Sequence, residues 1–329
     1  MKRMLALLVA LFVCVPAFAA KQPAYTYVRI GNSTNVATPV TAGTVLMGGG
    51  TDVDAAFQWM CARAGNGDFL VIRATGTDAY NPYIQALCPG INSVATLIIP
   101  SAAAAADPAV AAILQNAEAI WIAGGDQSNY INFWTGTPVQ SILKSKITAG
   151  TPVGGTSAGL NVLTQFVYSA NAPQGATSSQ SLADPFNRYL TFARDFANVS
   201  VLQGIIGDPH FVTRDRMGRD LAFLCRVAAN GWSTAPRGVA VDEQTALLID
   251  GAGHATVVGN STAYFLQAPG LPQVCAAKTP LTYDNIAVQR INSTGTFDFP
   301  TWHATGGVNY SVSANAGVLS STQPGGSAY

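Results

Sequence analysis

The stretch TPVGGTSAGLNVL, Thr151 to Leu163, sets Ser157 in a Gly-x-Ser-x-Gly pentapeptide running from Gly155 to Gly159. An apolar approach precedes it, and Leu160, Leu163, Phe166 and Val167 follow at helical spacing. That pattern predicts a sharp strand-to-helix turn that lifts the serine hydroxyl to a sheet edge. The first N–H groups of the helix would then face any oxyanion formed there. The plainer alternative is a tight turn with an inert serine. A serine nucleophile needs a base, and the chain has three histidines. His254, in DGAGHATVV, reads as an exposed turn residue, and His303, in PTWHATGG, as part of a peripheral loop. His210 follows an apolar strand and Gly-Asp-Pro and precedes a helix, a strand-end position like that of Ser157. Arg214, Arg216 and Arg219 stand within nine residues of it. Guanidinium groups so grouped suit carboxylates bidentately, unless they form a solvated helix face paired with Asp215 and Asp220.

These side chains need a framework, and the first half of the chain alternates buried-looking strands with helical patterns. Strands are expected in TVLMGGG, DFLVIRATG, VATLIIP and AIWIAGGDQ. Helices are expected from Asp54 to Gly65, with Phe57, Met60 and Cys61 on one face, from Asp107 as cap with Pro108 in the first turn, and in VQSILKSKITAG. The alternation predicts an α/β fold with a mostly parallel sheet, helices on both faces and ligands at the glycine-rich strand ends. Residues Ala170 to Ser181, small and aperiodic, read as a long functional loop. After Arg237 closely spaced strands predict an antiparallel extension, and STQPGGSAY reads as a surface tail.

Residues 1–19 carry Lys2, Arg3, an apolar run and an Ala17-Phe18-Ala19 cleavage pattern. This is the form of a secretory signal and too short for a spanning helix. Cleavage removes Lys2 and Arg3 from 17 basic residues and leaves 15 against 17 acidic ones, which excludes a strongly basic nucleic-acid or membrane-surface binder. A single α/β hydrolytic domain over 20–329, its core about 44–295, is expected outside the cell or in the periplasm. Four cysteines remain there, with pairing of Cys61 to Cys88 and of Cys225 to Cys275 preferred because each bridge stays within one half of the chain. No CxxC or HExxH occurs, so neither a metal nor a cofactor is expected.

Together, IAGGDQ, GGTSAG, DPHFVTRDRMGR and GVAVDEQTALLID, in this order, resemble the cyanophycinase and dipeptidase E family of serine peptidases. The resemblance spans about residues 44–295 and implies a flavodoxin-like sheet related to class I glutamine amidotransferases. Position by position, it makes Ser157 the nucleophile and His210 the base. It makes Gly124, Gly125 and the N–H of Ala158 the oxyanion hole. Gln127, Thr156, Asp208, Arg214, Arg216 and Arg219 become substrate contacts. The implied reaction cleaves β-aspartyl-linked or aspartyl peptides, cyanophycin among them, through an acyl-enzyme. The third triad member is expected between the serine and the histidine. Asp208 is too close to His210 along the chain, which leaves Asp184, the preferred candidate, and Asp195. A catalytically idle relative that binds peptides is the alternative reading, and a homodimer is the assembly left open.

Overall fold

The computed structural model describes residues 24–329. The expected signal over residues 1–19 lies outside the described residues.

The first half builds β1 (Thr26–Gly31), β2 (Gly43–Met47), α1 (Asp54–Arg63), β3 (Asp68–Arg73), α2 (Tyr80–Leu87) and β4 (Ser93–Ile98). It continues with α3 (Ala102–Ala105), α4 (Pro108–Gln115), β5 (Ala119–Ile122), α5 (Gln127–Trp134), α6 (Pro138–Thr148), β6 (Val153–Thr156) and α7 (Ala158–Leu163). Asp107 caps α4 as expected, its carboxylate accepting from Ala109 N–H at 2.8 Å. Strands β4, β3, β5, β6 and β2 lie side by side in parallel. Both faces of this sheet are buried, which explains why the strands read as continuous apolar runs. Period-two alternation sends Val45, Met47, Phe69, Val71 and Trp121 toward α1 and α2, and Leu46, Leu70, Ile72 and Ile122 to the opposite core.

The second half adds β7 (Phe166–Tyr168), α8 (Ser178–Ala183), β8 (Phe192–Arg194), β9 (Ile205–Pro209), α9 (Met217–Ala229) and β10 (Arg237–Val241). Next come β11 (Thr245–Asp250), β12 (His254–Gly259), β13 (Ala263–Gln267) and β14 (Tyr283–Ile291). The last strands are β15 (Thr296–Asp298), β16 (His303–Thr305), β17 (Val308–Asn315) and β18 (Val318–Ser321). The expected extension is divided between two sheets. Strands β11, β12, β15 and β16 lengthen the first sheet, while β10, β13, β14, β17 and β18 join β9, β7 and β8 in a second. Val239, Val241 and Phe265 share a core with Leu46 and Ile122, so the sheets pack together with α7 between them; Ala240 and Leu266 face α9. The α9 layer packs on the far side of the second sheet.

Disulfides join Cys61 to Cys88 and Cys225 to Cys275, the pairing preferred from sequence. The final segment runs along the surface, as expected, but its last ring is seated. The Tyr329 ring packs edge-on to Phe211 and Tyr264, because an aromatic side chain gains more from burial than an exposed end would leave it.

Candidate active site

Ser157 sits at the end of β6 with φ 53° and ψ −111°, a left-handed backbone that a non-glycine residue holds only when its surroundings enforce it. Two close approaches enforce it. A Cβ on Gly155 would lie 2.6 Å from the Gly159 carbonyl carbon, and one on Gly159 would lie 2.0 Å from Ile122 O. Neither glycine two residues from the serine can carry a side chain, so both glycines of the pentapeptide are dictated by packing at the reversal. Ser157 N–H bonds to Met47 O at 3.0 Å, tying the turn to the neighbouring strand.

The imidazole expected to act as base arrives from the second sheet. Strand β9 ends at Pro209, and His210, with φ 51°, follows it; its N–H bonds to Gly48 O at 2.8 Å. The ring is 5% exposed, and its Nε2 lies 2.7 Å from Ser157 Oγ. The Gly48–Gly50 turn closes on the ring so tightly that a Cβ on Gly49, where φ is 100°, would fall 2.3 Å from His210 Cε1.

Neither aspartate expected to orient the ring does so. Asp184 ends α8, where its Oδ1 accepts from the N–H groups of Phe186 at 2.9 Å and Lys278 at 3.0 Å. Asp195 is half-exposed and bonded to Arg194 at 2.7 Å and Gln165 at 2.9 Å. The group on His210 Nδ1 is Glu243 Oε1, at 2.5 Å. Strand β10 runs parallel to β9 with Val241 opposite Pro209, so the residues just after β10 emerge beside the residue just after β9. Spatial pairing of strands, rather than order along the chain, sets which carboxylate reaches the imidazole. The signal for Glu243 is in the sequence, in the Asp242-Glu243 pair of GVAVDEQTALLID. Its neighbour Asp242 braces the same region, accepting from Val212 N–H at 3.0 Å and from Thr213 N–H and Oγ1 at 2.9 Å. Burial alone would raise the Asp242 carboxyl, but the Thr213 N–H, the Ser261 hydroxyl and further donors bring it below its ordinary value.

Burial holds the His210 pKa below its ordinary 6.5; the Glu243 bond opposes that shift, and Arg214 and Arg216 reinforce it. At neutral pH the ring is therefore uncharged and able to accept a proton from Ser157 Oγ, while Glu243 holds the Nδ1–H tautomer.

On the other side of Ser157 the Gly124-Gly125 turn approaches closely, a Cβ on Gly124 falling 3.6 Å from Ser157 Cβ. Tyr130 Oη lies 2.8 Å from Ala123 O and 3.3 Å from Gly124 O, drawing both carbonyls to its side of the turn. A peptide N–H points opposite to the carbonyl of the same unit, so the N–H groups of Gly124 and Gly125 are turned away from Tyr130. Ala158 is the first residue of α7, and no carbonyl within the helix can reach its N–H.

The pocket beside Ser157 has a volume of about 270 Å³. Gln127, Ser157, Tyr168, His210, Arg214 and Arg216 line it, together with the loop from Ala170 to Gly175. Gln127 is positioned by its Nε2, which donates to Tyr168 O at 3.2 Å. Two expected substrate contacts lie beneath the surface instead. Thr156 belongs to buried β6, and its Oγ1 has no hydrogen-bond partner. Asp208 is fully buried: Arg219 bonds both of its oxygens and Arg216 Nη1 bonds Oδ1 at 3.3 Å. A buried carboxylate must be paired, so Arg219, which also lines the pocket, has its guanidinium committed to both oxygens of Asp208. Arg214, 53% exposed in its side chain and 3.5 Å from Glu243, is the most accessible guanidinium. Among the described residues, no three His, Cys, Asp or Glu side chains gather as a metal site.

With this geometry in hand, the comparisons with known proteins are specific. Peptidase family S51 matches residues 93–257, half of the chain. A cyanophycinase from Trichormus variabilis is 28% identical, over 54% of this chain and 55% of that protein, and one from Nostoc sp. matches equally. A cyanophycinase from Geminocystis herdmanii is 24% identical, over 53% and 59% respectively. The chain thus spans little more than half the length of the curated relatives it matches. A crystal structure of a peptidase from an acI-B1 Actinobacterium superposes with a TM-score of 0.53 at 15% identity, covering 79% of this chain and 98% of that one, and supports the fold.

Proposed function

The chain belongs to peptidase family S51, and from that premise we propose that it is a serine exopeptidase acting on β-aspartyl-linked or aspartyl peptides. The observation that carries the proposal is the continuous row Ser157 Oγ, His210 Nε2, His210 Nδ1, Glu243 Oε1, with contacts of 2.7 and 2.5 Å, mounted on a strained turn. Ser157 Oγ attacks the scissile carbonyl as His210 Nε2 takes its proton. The N–H groups of Ala158 and the Gly124-Gly125 turn receive the oxyanion, and Glu243 stabilises the imidazolium. Collapse of the tetrahedral species breaks the C–N bond, His210 returns the proton to the departing amine, and water then hydrolyses the acyl-enzyme by the same relay.

Two features support the substrate class. The relatives are named cyanophycinases, and Arg214 and Arg216 face the pocket, where guanidinium groups suit substrate carboxylates. Export is supported by the leader-like residues 1–19 and by the two disulfides. The assembled row weighs against an idle, peptide-binding relative. The test is a serine-directed covalent probe combined with hydrolysis of β-aspartyl and α-aspartyl dipeptides and of cyanophycin. Wild type is expected to be labelled and active, and Ser157→Ala neither; folded wild type that is unlabelled and cleaves none of the three sinks the proposal.

A further inference from the structure

Residues 211–216, which carry Arg214 and Arg216 to the pocket, form a compact loop with little regular structure of its own. Arg214 N–H bonds to His210 O at 3.1 Å and Arg216 N–H to Phe211 O at 2.9 Å. Asp215 between them has φ 47°, a left-handed conformation that persists only where contacts over-determine it. Asp242 supplies contacts on one flank, at Val212 and Thr213. Ser178 Oγ supplies another, donating to Asp215 O at 2.5 Å.

The third contact comes from the far end of the sequence. Tyr329 Oη accepts from Met217 N–H at 2.8 Å and donates to Asp215 Oδ1 at 2.9 Å. One hydroxyl thereby bridges the residues on either side of Arg216, satisfying an N–H at the start of α9 and the side chain of the left-handed residue together. The ring is seated edge-on to Phe211, with centroids 5.6 Å apart, and to Tyr264 at 6.2 Å. Tyr310 Oη holds the adjoining backbone by donating to Ala328 O at 2.9 Å.

We propose that Tyr329 is a positioning residue for substrate binding: its hydroxyl bridge fixes the turn from which Arg214 and Arg216 meet carboxylate groups of a peptide substrate. This rests on the peptidase reading above. The triad does not depend on the bridge, since His210 is held by Gly48 O, Ser157 and Glu243. Loss of the hydroxyl therefore loosens the turn that carries the arginines, Arg214 above all because Arg216 keeps its bonds to Asp208 and Pro209 O, and leaves proton transfer intact, which separates KM from kcat.

Tyr329→Phe keeps the ring and removes the bridge. With a β-aspartyl dipeptide, KM is expected to rise about tenfold, the effect of losing a charge-assisted hydrogen bond, while kcat stays within about twofold. Asp215→Ala should raise KM similarly, and the double variant should add little, because both changes break one bridge. Unchanged KM in Tyr329→Phe, an equal fall in kcat, or fully additive effects in the double variant would overturn the inference. Amide exchange provides an independent readout: Met217 N–H should exchange faster in Tyr329→Phe than in wild type, and equal rates count against the bridge. If wild type cleaves no aspartyl peptide, the functional reading fails by itself, and the exchange measurement still decides whether the bridge orders the loop.

Discussion

Replacing Glu243 with glutamine keeps the shape of the side chain and removes the charge facing His210. Glu243 Oε1 lies 2.5 Å from Nδ1 and its side chain is 22% exposed, so in the transition state it stabilises the imidazolium through a short bond only partly screened by solvent. A hydrogen bond to a charged group contributes about 1.5–3 kcal/mol. At 1.36 kcal/mol per decade, its loss lowers kcat by about 10- to 150-fold. KM should change little, because Glu243 acts on the base and its charge is needed when the imidazolium forms. The pH profile supplies a second readout. Burial lowers the His210 pKa and the Glu243 bond opposes that, so the variant's pKa falls further below 6.5. Since the reaction needs neutral His210, the acid limb of kcat/KM moves to lower pH even as the plateau drops. Asp184→Asn and Asp195→Asn are the controls, expected to leave kcat within about twofold, as substitutions away from the site usually do. Steady-state kinetics across pH with a β-aspartyl dipeptide reads all three. Wild-type kcat in Glu243→Gln, or a tenfold loss in Asp184→Asn, would refute the assignment.

Two further perturbations probe the packing around the site. Gly49→Ala should lower kcat more than about tenfold and destabilise the fold by about 1–3 kcal/mol, because the added carbon meets the His210 ring at 2.3 Å from a backbone with φ 100°. Activity and melting near wild type in Gly49→Ala would show that the turn does not brace the ring. Asp220 is fully buried, both of its oxygens lack partners, and burial followed by repulsion from Asp208 raises its pKa well above 3.8. The folded state therefore keeps a proton that the unfolded chain releases, so the contribution of Asp220 to stability is greatest below pH 3.8 and declines as pH rises toward the raised value. Asp220→Asn removes that decline: Tm at pH 7 should rise by about 2–4 °C, the effect of roughly 1 kcal/mol. The gain should vanish at the acid end of a melting series, and a gain independent of pH would contradict the assignment.

The fold was legible because buried parallel strands have a direct signature. Runs such as Phe69–Ile72 and Ala119–Ile122 are apolar on both faces, and glycine-rich ends mark where ligands approach. The division of the later strands between two sheets was not, since alternation along a strand records which side is buried and not which sheet it joins. The seating of Tyr329 had no signature either: a polar, glycine-containing tail looks the same whether it hangs free or ends on an aromatic pocket.

Ser157 and His210 could be named from local sequence because each is built by a local device: small residues at a strand-to-helix reversal, and a strand end followed by arginines. Local chemistry also determined the disulfide preference, through even cysteine count and separation. Which of the available carboxylates becomes the third member of the row was decided by tertiary structure. Glu243 reaches His210 because β10 lies in register beside β9, and Asp184, better spaced along the chain, is carried away with α8 to cap the loop at Lys278. The same packing decided which arginines remain accessible, since an ion pair inside the core depends on burial that no spacing reveals. Residue type and short-range spacing determine what a side chain can do; the register between distant strands determines which partner it does it with.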